Sequence, residues 1–102
     1  MPVEPGSFAR TLLDFYREHA VAVDELLDAH LTRWRLKDLG AVERAILRTS
    51  VCEIATAQTD LPVVITEAIR LARRYCRPES YKLVNGVLDK VGPLAASHFT
   101  PR

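Results

Sequence analysis

The chain has 102 residues, 48% of them hydrophobic, which suits a single domain with its own core and argues against disorder. No apolar run approaches the ~20 residues that a membrane span needs, and no secretory signal is visible, so no membrane association is expected. The net charge of +1 is unevenly distributed: residues 1–30 hold six acidic and two basic side chains, and residues 31–102 hold seven acidic and twelve basic ones. Residues 31–102 are therefore the better candidate for a nucleic-acid surface.

The first part of the chain is predicted to be helical. One helix is expected over about residues 8–19, and a second over about residues 22–31 that continues the first with a bend, because no Gly or Pro separates them. A long helix follows over about residues 41–58, with Val42, Ala45 and Ile46 widening its apolar face. Such a broad apolar face predicts a central, largely buried helix.

Two further helices are predicted towards the C-terminus. One starts at Asp60 and Pro62 and extends to about Tyr75, and the last starts at Pro78. Gly92 followed by Pro93 is expected to end the last helix. The predicted fold class is all-α: a compact bundle of about five helices in a single domain, with flexible tails at residues 1–6 and 94–102.

The Asn85–Gly86 pair is the local feature that most needs an explanation. Such a pair usually marks a hairpin turn. Here the neighbouring apolar residues recur at helical spacing, at Leu83, Val84, Val87, Leu88 and Val91. The pair is therefore predicted to lie inside a helix, where Gly costs about 1 kcal/mol relative to Ala. The expected reasons are a close approach of another backbone at Gly86 and a hydrogen bond from Asn85, whose amide we expect to be buried.

No catalytic or cofactor-binding pattern is present in the sequence. The histidines are scattered, at His19, His30 and His98, and no Gly-rich phosphate loop is seen. Cys52 and Cys76 have no histidine at ligand spacing, so both are predicted to be reduced thiols without a metal, with a disulfide as the alternative if the fold brings them together. We therefore expect a protein that is not an enzyme and needs no cofactor.

A run of cationic residues is the main candidate for binding chemistry. Arg70, Arg73, Arg74 and Arg77 are spaced to form one stripe on a helix face, with Lys82 just beyond it. Such a stripe is often an ordinary solvated face. Alternatively it is a ridge that contacts phosphates, because guanidinium groups match phosphate geometry.

Three segments carry a resemblance to a known family. Residues 34–48 (W-R-L-K-D-L-G-A-V-E-R-A-I-L-R) resemble the W-x-L-x-R-L-x-x-V-[DE]-[RK]-A-I-L-R run of the NusB family. Residues 61–69 (L-P-V-V-I-T-E-A-I) and residues 80–90 (S-Y-K-L-V-N-G-V-L-D-K) resemble two more of its motifs, in the same order. The family comprises all-helical bacterial factors for transcription antitermination and ribosomal-RNA processing, so the resemblance implies an antitermination factor in the cytoplasm.

The resemblance also implies two binding surfaces. Single-stranded boxA-type RNA would cross near the start of the last helix, at Glu79, Ser80, Lys82 and Leu83. Leu83 stands where the family often has an aromatic residue and cannot stack on a base. A ribosomal protein of the NusE type would dock elsewhere, linking the chain indirectly to the RNA polymerase complex. The positions of this sequence for which the resemblance implies contact with this partner are His30, Leu31, Arg33 and Glu43.

Two side chains near that second surface have more than one interpretation. Trp34 is predicted to be a core anchor, with a partner-facing aromatic residue as the alternative. Glu43 is either an ordinary surface charge, like Arg44 and Arg48, or a partner contact.

The sequence departs from the family at its start, because the arginine-rich opening helices are not seen. Their absence is expected to weaken RNA binding and to expose the apolar face of Phe8, Leu12 and Phe15. We expect that face to cause self-association, as a homodimer for example, or to dock another protein. Two alternative functions stay open: the RNA-binding domain of a ribosomal-RNA cytosine methyltransferase, and an interaction scaffold that does not bind RNA.

Overall fold

The computed structural model describes residues 7–99, which form four α-helices and one short 3₁₀ turn, with no strand. The helices are α1 (Ser7–Ala29), α2 (Ala41–Ala55), α3 (Leu61–Tyr75) and α4 (Ser80–His98), and the 3₁₀ turn spans Leu36–Asp38. The all-α prediction is confirmed. There are four helices and not about five, because the first two predicted helices form one element.

Helix α1 bends where the sequence predicted a bend. His19 has non-helical dihedral angles (φ −119°, ψ 19°), and the helix continues beyond it to Ala29. Val23 and Leu27, both in the second half, are fully buried, whereas Phe8 and Leu13 in the first half are 45% and 47% exposed. The predicted apolar face is thus only partly open, since Leu12 and Phe15 are half-buried against the core.

Helix α2 lies at the centre of the bundle and contacts the other three helices. Ile46, Leu47, Val51 and Ile54 are buried on it, which confirms the prediction of a central helix. The predicted roles of Val42 and Ala45 are wrong, because both are exposed at the start of the helix. The helix also ends three residues earlier than predicted, at Ala55, and Ala57 shortly after it has a left-handed backbone (φ 55°).

Helix α4 confirms the helical position of Asn85 and Gly86 but corrects three details. The helix passes through Pro93 to His98, so the predicted end at Gly92 is wrong and residues 94–98 are helical. Pro93 is exposed, whereas Val91 and Ala95 on either side are buried, so packing holds the helix together across the proline. The other two corrections concern Gly86 and Asn85.

The glycine that needs its small size is Gly92 and not Gly86. A Cβ atom built on Gly92 would lie 2.5 Å from Leu61 Cδ1, so helices α3 and α4 approach each other closely there. Gly86 is exposed and a Cβ atom on it would meet no atom of residues 7–99 within 4 Å, so the predicted close approach is wrong. Asn85 is half-buried, and its side chain forms no hydrogen bond with any of residues 7–99.

None of the helices described for residues 7–99 combines the length and the hydrophobicity needed to span a membrane.

Candidate nucleic-acid interface

The cationic side chains singled out in the sequence are all exposed, and they lie on α3, in the α3–α4 connection and in the first turn of α4. We call this set the basic surface and define it as Arg70, Arg73, Arg74, Arg77 and Lys82. The first three lie on α3, but the helix ends at Tyr75 and Cys76 is extended (φ −115°, ψ −177°). The prediction of one helical stripe is therefore wrong for Arg77, which lies in the connection.

Most of these cations have no acidic partner among the residues that the structure describes. Arg70 contacts Glu67 one turn earlier on α3, and the hydrogen bond from Arg70 lowers the pKa of the Glu67 carboxyl. Within residues 7–99, no carboxylate forms an ion pair with the remaining cations, which are Arg73, Arg74, Arg77 and Lys82. Positive charge that is not neutralised internally is available to phosphate groups.

Two of the arginines lie beside tyrosine rings. The Arg73 Cζ atom lies over the Tyr81 ring, 4.2 Å from its centroid. Arg74 Nε donates a hydrogen bond of 3.1 Å to Tyr75 Oη. The basic surface therefore combines cations with aromatic rings, as surfaces that bind single-stranded nucleic acids do.

A groove of about 850 Å³ lies beside the basic surface, between the start of α2 and the start of α4. Its lining residues include Trp34, Glu43, Tyr75, Arg77 and Leu83. Trp34 is 55% exposed, so the prediction of a core anchor is wrong. Two leucines of the same connection, Leu36 and Leu39, are buried in the core instead, which leaves the indole at the surface.

Glu43 and Ser80 connect the two sides of this groove. Ser80 Oγ donates a hydrogen bond of 3.1 Å to Glu43 Oε2, which joins the first turn of α4 to the first turn of α2. Ser80 is only 7% exposed, so its hydroxyl faces Glu43 and not solvent. Of the other positions matched to the RNA site, Glu79 and Lys82 are exposed and Leu83 is half-buried.

The remaining positions carried over for a protein partner lie just after α1, which ends at Ala29. The Nδ1 atom of His30 is 3.0 Å from the Leu26 carbonyl oxygen. Leu31 is half-buried against the core, and Arg33 is exposed. These three residues lie on a different part of the chain from Glu43, which lines the groove.

Arg44 and Arg48 are not the ordinary surface charges that the sequence suggested. Arg44 Nη1 donates to the Leu39 carbonyl oxygen. Arg48 forms two hydrogen bonds of 3.0 Å to the carboxylate of Asp24 on α1. Sequence reasoning missed the second contact because the partners are 24 residues apart on different helices.

Both cysteines are free thiols. Cys52 is buried on α2, and burial raises its pKa to about 11, so its thiol is neutral at physiological pH. Cys76 is half-buried, and its pKa is raised first by burial and then by the nearby Glu43 carboxylate. Among the residues that the structure describes, no group of His, Cys, Asp or Glu side chains could hold a metal ion.

Comparisons with known proteins point to one family. The sequence model of the NusB family matches residues 2–93. The transcription antitermination protein NusB of Campylobacter fetus is 45% identical over 85 residues, which cover 83% of this chain and 65% of the relative. The protein of the same name from Koribacter versatilis is 39% identical over 89 residues, covering 86% of this chain and 61% of the relative.

A solved structure shows the same fold. The structure of T. maritima NusB superimposes with a TM-score of 0.81 at 33% sequence identity, covering 88% of this chain and 64% of that one. The chain thus spans slightly less than two thirds of the length of these relatives.

Proposed function

This chain belongs to the NusB family, and from that premise we propose that it is a non-catalytic binding module of transcription antitermination. In this proposal it binds single-stranded boxA-type RNA through the basic surface and a ribosomal protein of the NusE type through residues 30–43. Through that assembly it acts indirectly on RNA polymerase. Bacterial transcription takes place in the cytoplasm, and we place the chain there for that reason.

The observation that carries the RNA-binding part is the charge of the basic surface. Four of its five cations lack an acidic partner within residues 7–99, and they lie at the end of α3, in the connection and in the first turn of α4. Each phosphate that such a cation neutralises releases bound counterions, so binding is expected to weaken steeply as salt increases. Glu79 and Leu83 lie at the same helix start and would contact the sugar or the base.

The protein-binding part is supported by exposed apolar and aromatic side chains near Glu43. Trp34 and Val42 are 55% and 44% exposed, and both line the groove. Exposed aromatic residues commonly anchor protein interfaces, with polar groups around them. His30, Leu31 and Arg33 would extend this contact to the segment just after α1.

Binding of a fluorescently labelled boxA-type RNA, followed by anisotropy over a range of salt concentrations, tests the proposal. We expect wild-type binding that weakens with salt and becomes tighter when the NusE-type protein is added. Lys82→Glu should weaken binding strongly, whereas Lys90→Glu, an equal charge change at an exposed position two turns further along α4, should have a smaller effect. Absence of binding at low salt, with and without the partner, would instead support a scaffold that does not bind RNA.

We also propose that the chain forms a homodimer through the first half of α1. Phe8 and Leu13 are exposed on that segment, and Val21 beyond the bend is 72% exposed. The face is smaller than the sequence suggested, since the Phe15 ring packs edge-on against Phe99, with 5.4 Å between the centroids. Burying the exposed apolar side chains against a second copy would remove them from water.

A further inference from the structure

The Arg73–Tyr81 pair is the best-defined structural unit on the basic surface. Arg73 lies near the end of α3 and Tyr81 in the first turn of α4, so the contact bridges two helices. The Tyr81 ring is half-buried and packs against the core, whereas Arg73 is exposed. The tyrosine is thus a fixed support, and the guanidinium group lies over it, 4.2 Å from the ring centroid.

We propose that Arg73, supported by Tyr81, is a stacking platform for one base of a single-stranded RNA, and not a phosphate contact like its neighbours. This inference rests on the proposed RNA binding and adds to it a residue that contacts a base and not the sugar-phosphate backbone. Guanidinium planes stack on nucleobases as aromatic rings do. The base would lie on the outer face of Arg73, in line with the Tyr81 ring beneath.

The surroundings of the pair support this arrangement. Arg74, Arg77 and Lys82 flank it and have no acidic partner within residues 7–99, so they can hold the phosphates on either side of a stacked base. Leu83, at the same helix start, offers no aromatic face. Because Tyr81 already holds the guanidinium group of Arg73, less side-chain freedom is lost when a base binds.

The second arginine–tyrosine pair on this surface is less suited to stacking. Arg74 is 5.5 Å from the centroid of the Tyr75 ring, and its Nε atom is bonded to the Tyr75 hydroxyl. This contact ties the guanidinium group to the hydroxyl of an exposed ring and leaves its carbon farther from the ring centroid than that of Arg73 is from Tyr81. Arg74 is therefore assigned to phosphate binding.

Replacing Arg73 by lysine distinguishes the role of its charge from the role of its planar guanidinium group. Arg73→Lys retains the positive charge but loses the planar group, so a stacking role and a phosphate role predict different results. The two probes are a labelled boxA-type oligonucleotide and an oligomer of the same length with abasic riboses, both at low salt. We expect Arg73→Lys to weaken binding of the intact RNA about tenfold and to leave binding of the abasic oligomer unchanged.

Variants of Tyr81 check the support beneath the platform. Tyr81→Phe retains the ring and should bind as the wild type does, whereas Tyr81→Leu should reproduce the loss seen with Arg73→Lys. Thermal melting of each variant shows whether it is folded. Arg17→Lys makes the same substitution at an exposed arginine of α1, outside the basic surface, so it is the matched control and should retain binding of both oligomers.

Three results would overturn the inference. If Arg73→Lys binds the intact RNA as tightly as the wild type, Arg73 is a phosphate contact, and the proposed RNA binding still stands. If the wild type binds neither oligomer, the proposed RNA binding fails and the platform fails with it. If a polyglutamate peptide displaces the intact RNA as efficiently as unlabelled RNA does, the surface recognises negative charge without reading bases.

Discussion

Ser80 on α4 donates a hydrogen bond of 3.1 Å to Glu43 on α2, across 37 residues of sequence. The bond positions the start of α4, where the basic surface meets the groove, relative to the start of α2. Glu43 is half-buried, so the hydrogen bond from Ser80 replaces part of the contact with water that its carboxylate loses. The two binding surfaces that we propose therefore share one structural contact.

Removing the Ser80 hydroxyl should destabilise the fold. Ser80→Ala deprives the half-buried Glu43 carboxylate of the Ser80 hydroxyl and leaves it the Cys76 thiol nearby, so the free energy of unfolding should fall by about 1 kcal/mol in a urea titration. Ser97→Ala is the matched control, because Ser97 is an exposed serine of the same helix whose side chain, among residues 7–99, bonds only to the Leu94 carbonyl oxygen. Equal stability of the two variants would show that the Ser80–Glu43 bond contributes nothing.

The Asp24–Arg48 pair should hold α1 against α2. Its side chains are 31% and 33% exposed, so solvent screens the pair only partly, and two parallel hydrogen bonds fix its geometry. Arg48→Met should lower the free energy of unfolding by about 1 kcal/mol. A double-mutant cycle with Asp24→Asn measures the coupling between the two side chains, and a coupling energy near zero would contradict this account.

The matched control for this pair is Arg70→Met. Arg70 forms an ion pair with Glu67 on the same helix, and both side chains are more than half exposed. Such surface pairs contribute little to stability. The thermal midpoint of the Arg70 variant should therefore stay at the wild-type value.

Replacement by alanine should affect stability differently at the two glycines of α4. Gly86→Ala should raise the free energy of unfolding by about 0.5–1 kcal/mol, because alanine favours the helix and its Cβ atom meets open space. Gly92→Ala should fall short of that gain or destabilise the fold, because its Cβ atom would displace Leu61. Thermal unfolding of both variants makes the comparison, and an equal gain at both positions would contradict the packing described here.

These glycines also show what the sequence could and could not predict. Helical periodicity placed Asn85 and Gly86 inside a helix correctly, because that signal depends only on local spacing. Which glycine faces another helix depends on how α3 and α4 pack, and no local pattern contains that information. For the same reason, local rules ended the helix at Gly92, whereas the burial of Val91 and Ala95 carries it past Pro93.

The candidate site was predictable to a similar extent. The sequence identified the basic surface, since charged residues on an amphipathic helix can be read from their spacing. It favoured a buried Trp34 and gave an exposed, partner-facing side chain as the alternative, because a tryptophan next to Leu36 and Leu39 could equally well have filled the core. It did not identify the Ser80–Glu43 bond, which requires knowledge of where two distant helix starts meet.

The exposed part of α1 should cause self-association. Leu13 is 47% exposed, and Leu13→Asp places a charge on the proposed dimer face without disturbing the core. Light scattering should give a dimer for the wild type and a monomer for Leu13→Asp. Val63→Asp is the control, because Val63 is 55% exposed but lies at the start of α3. A wild-type monomer at high concentration would rule out the dimer.

Mapping of the RNA contact by nuclear magnetic resonance tests the central claim most directly. A boxA-type RNA would be added to the isotope-labelled chain, and the backbone amide shifts would be followed residue by residue. We predict that the largest changes cluster at residues 70–83, around the basic surface and the start of α4, while the amides of α1 change little. Changes centred on α1, or no changes at low salt, would contradict the account.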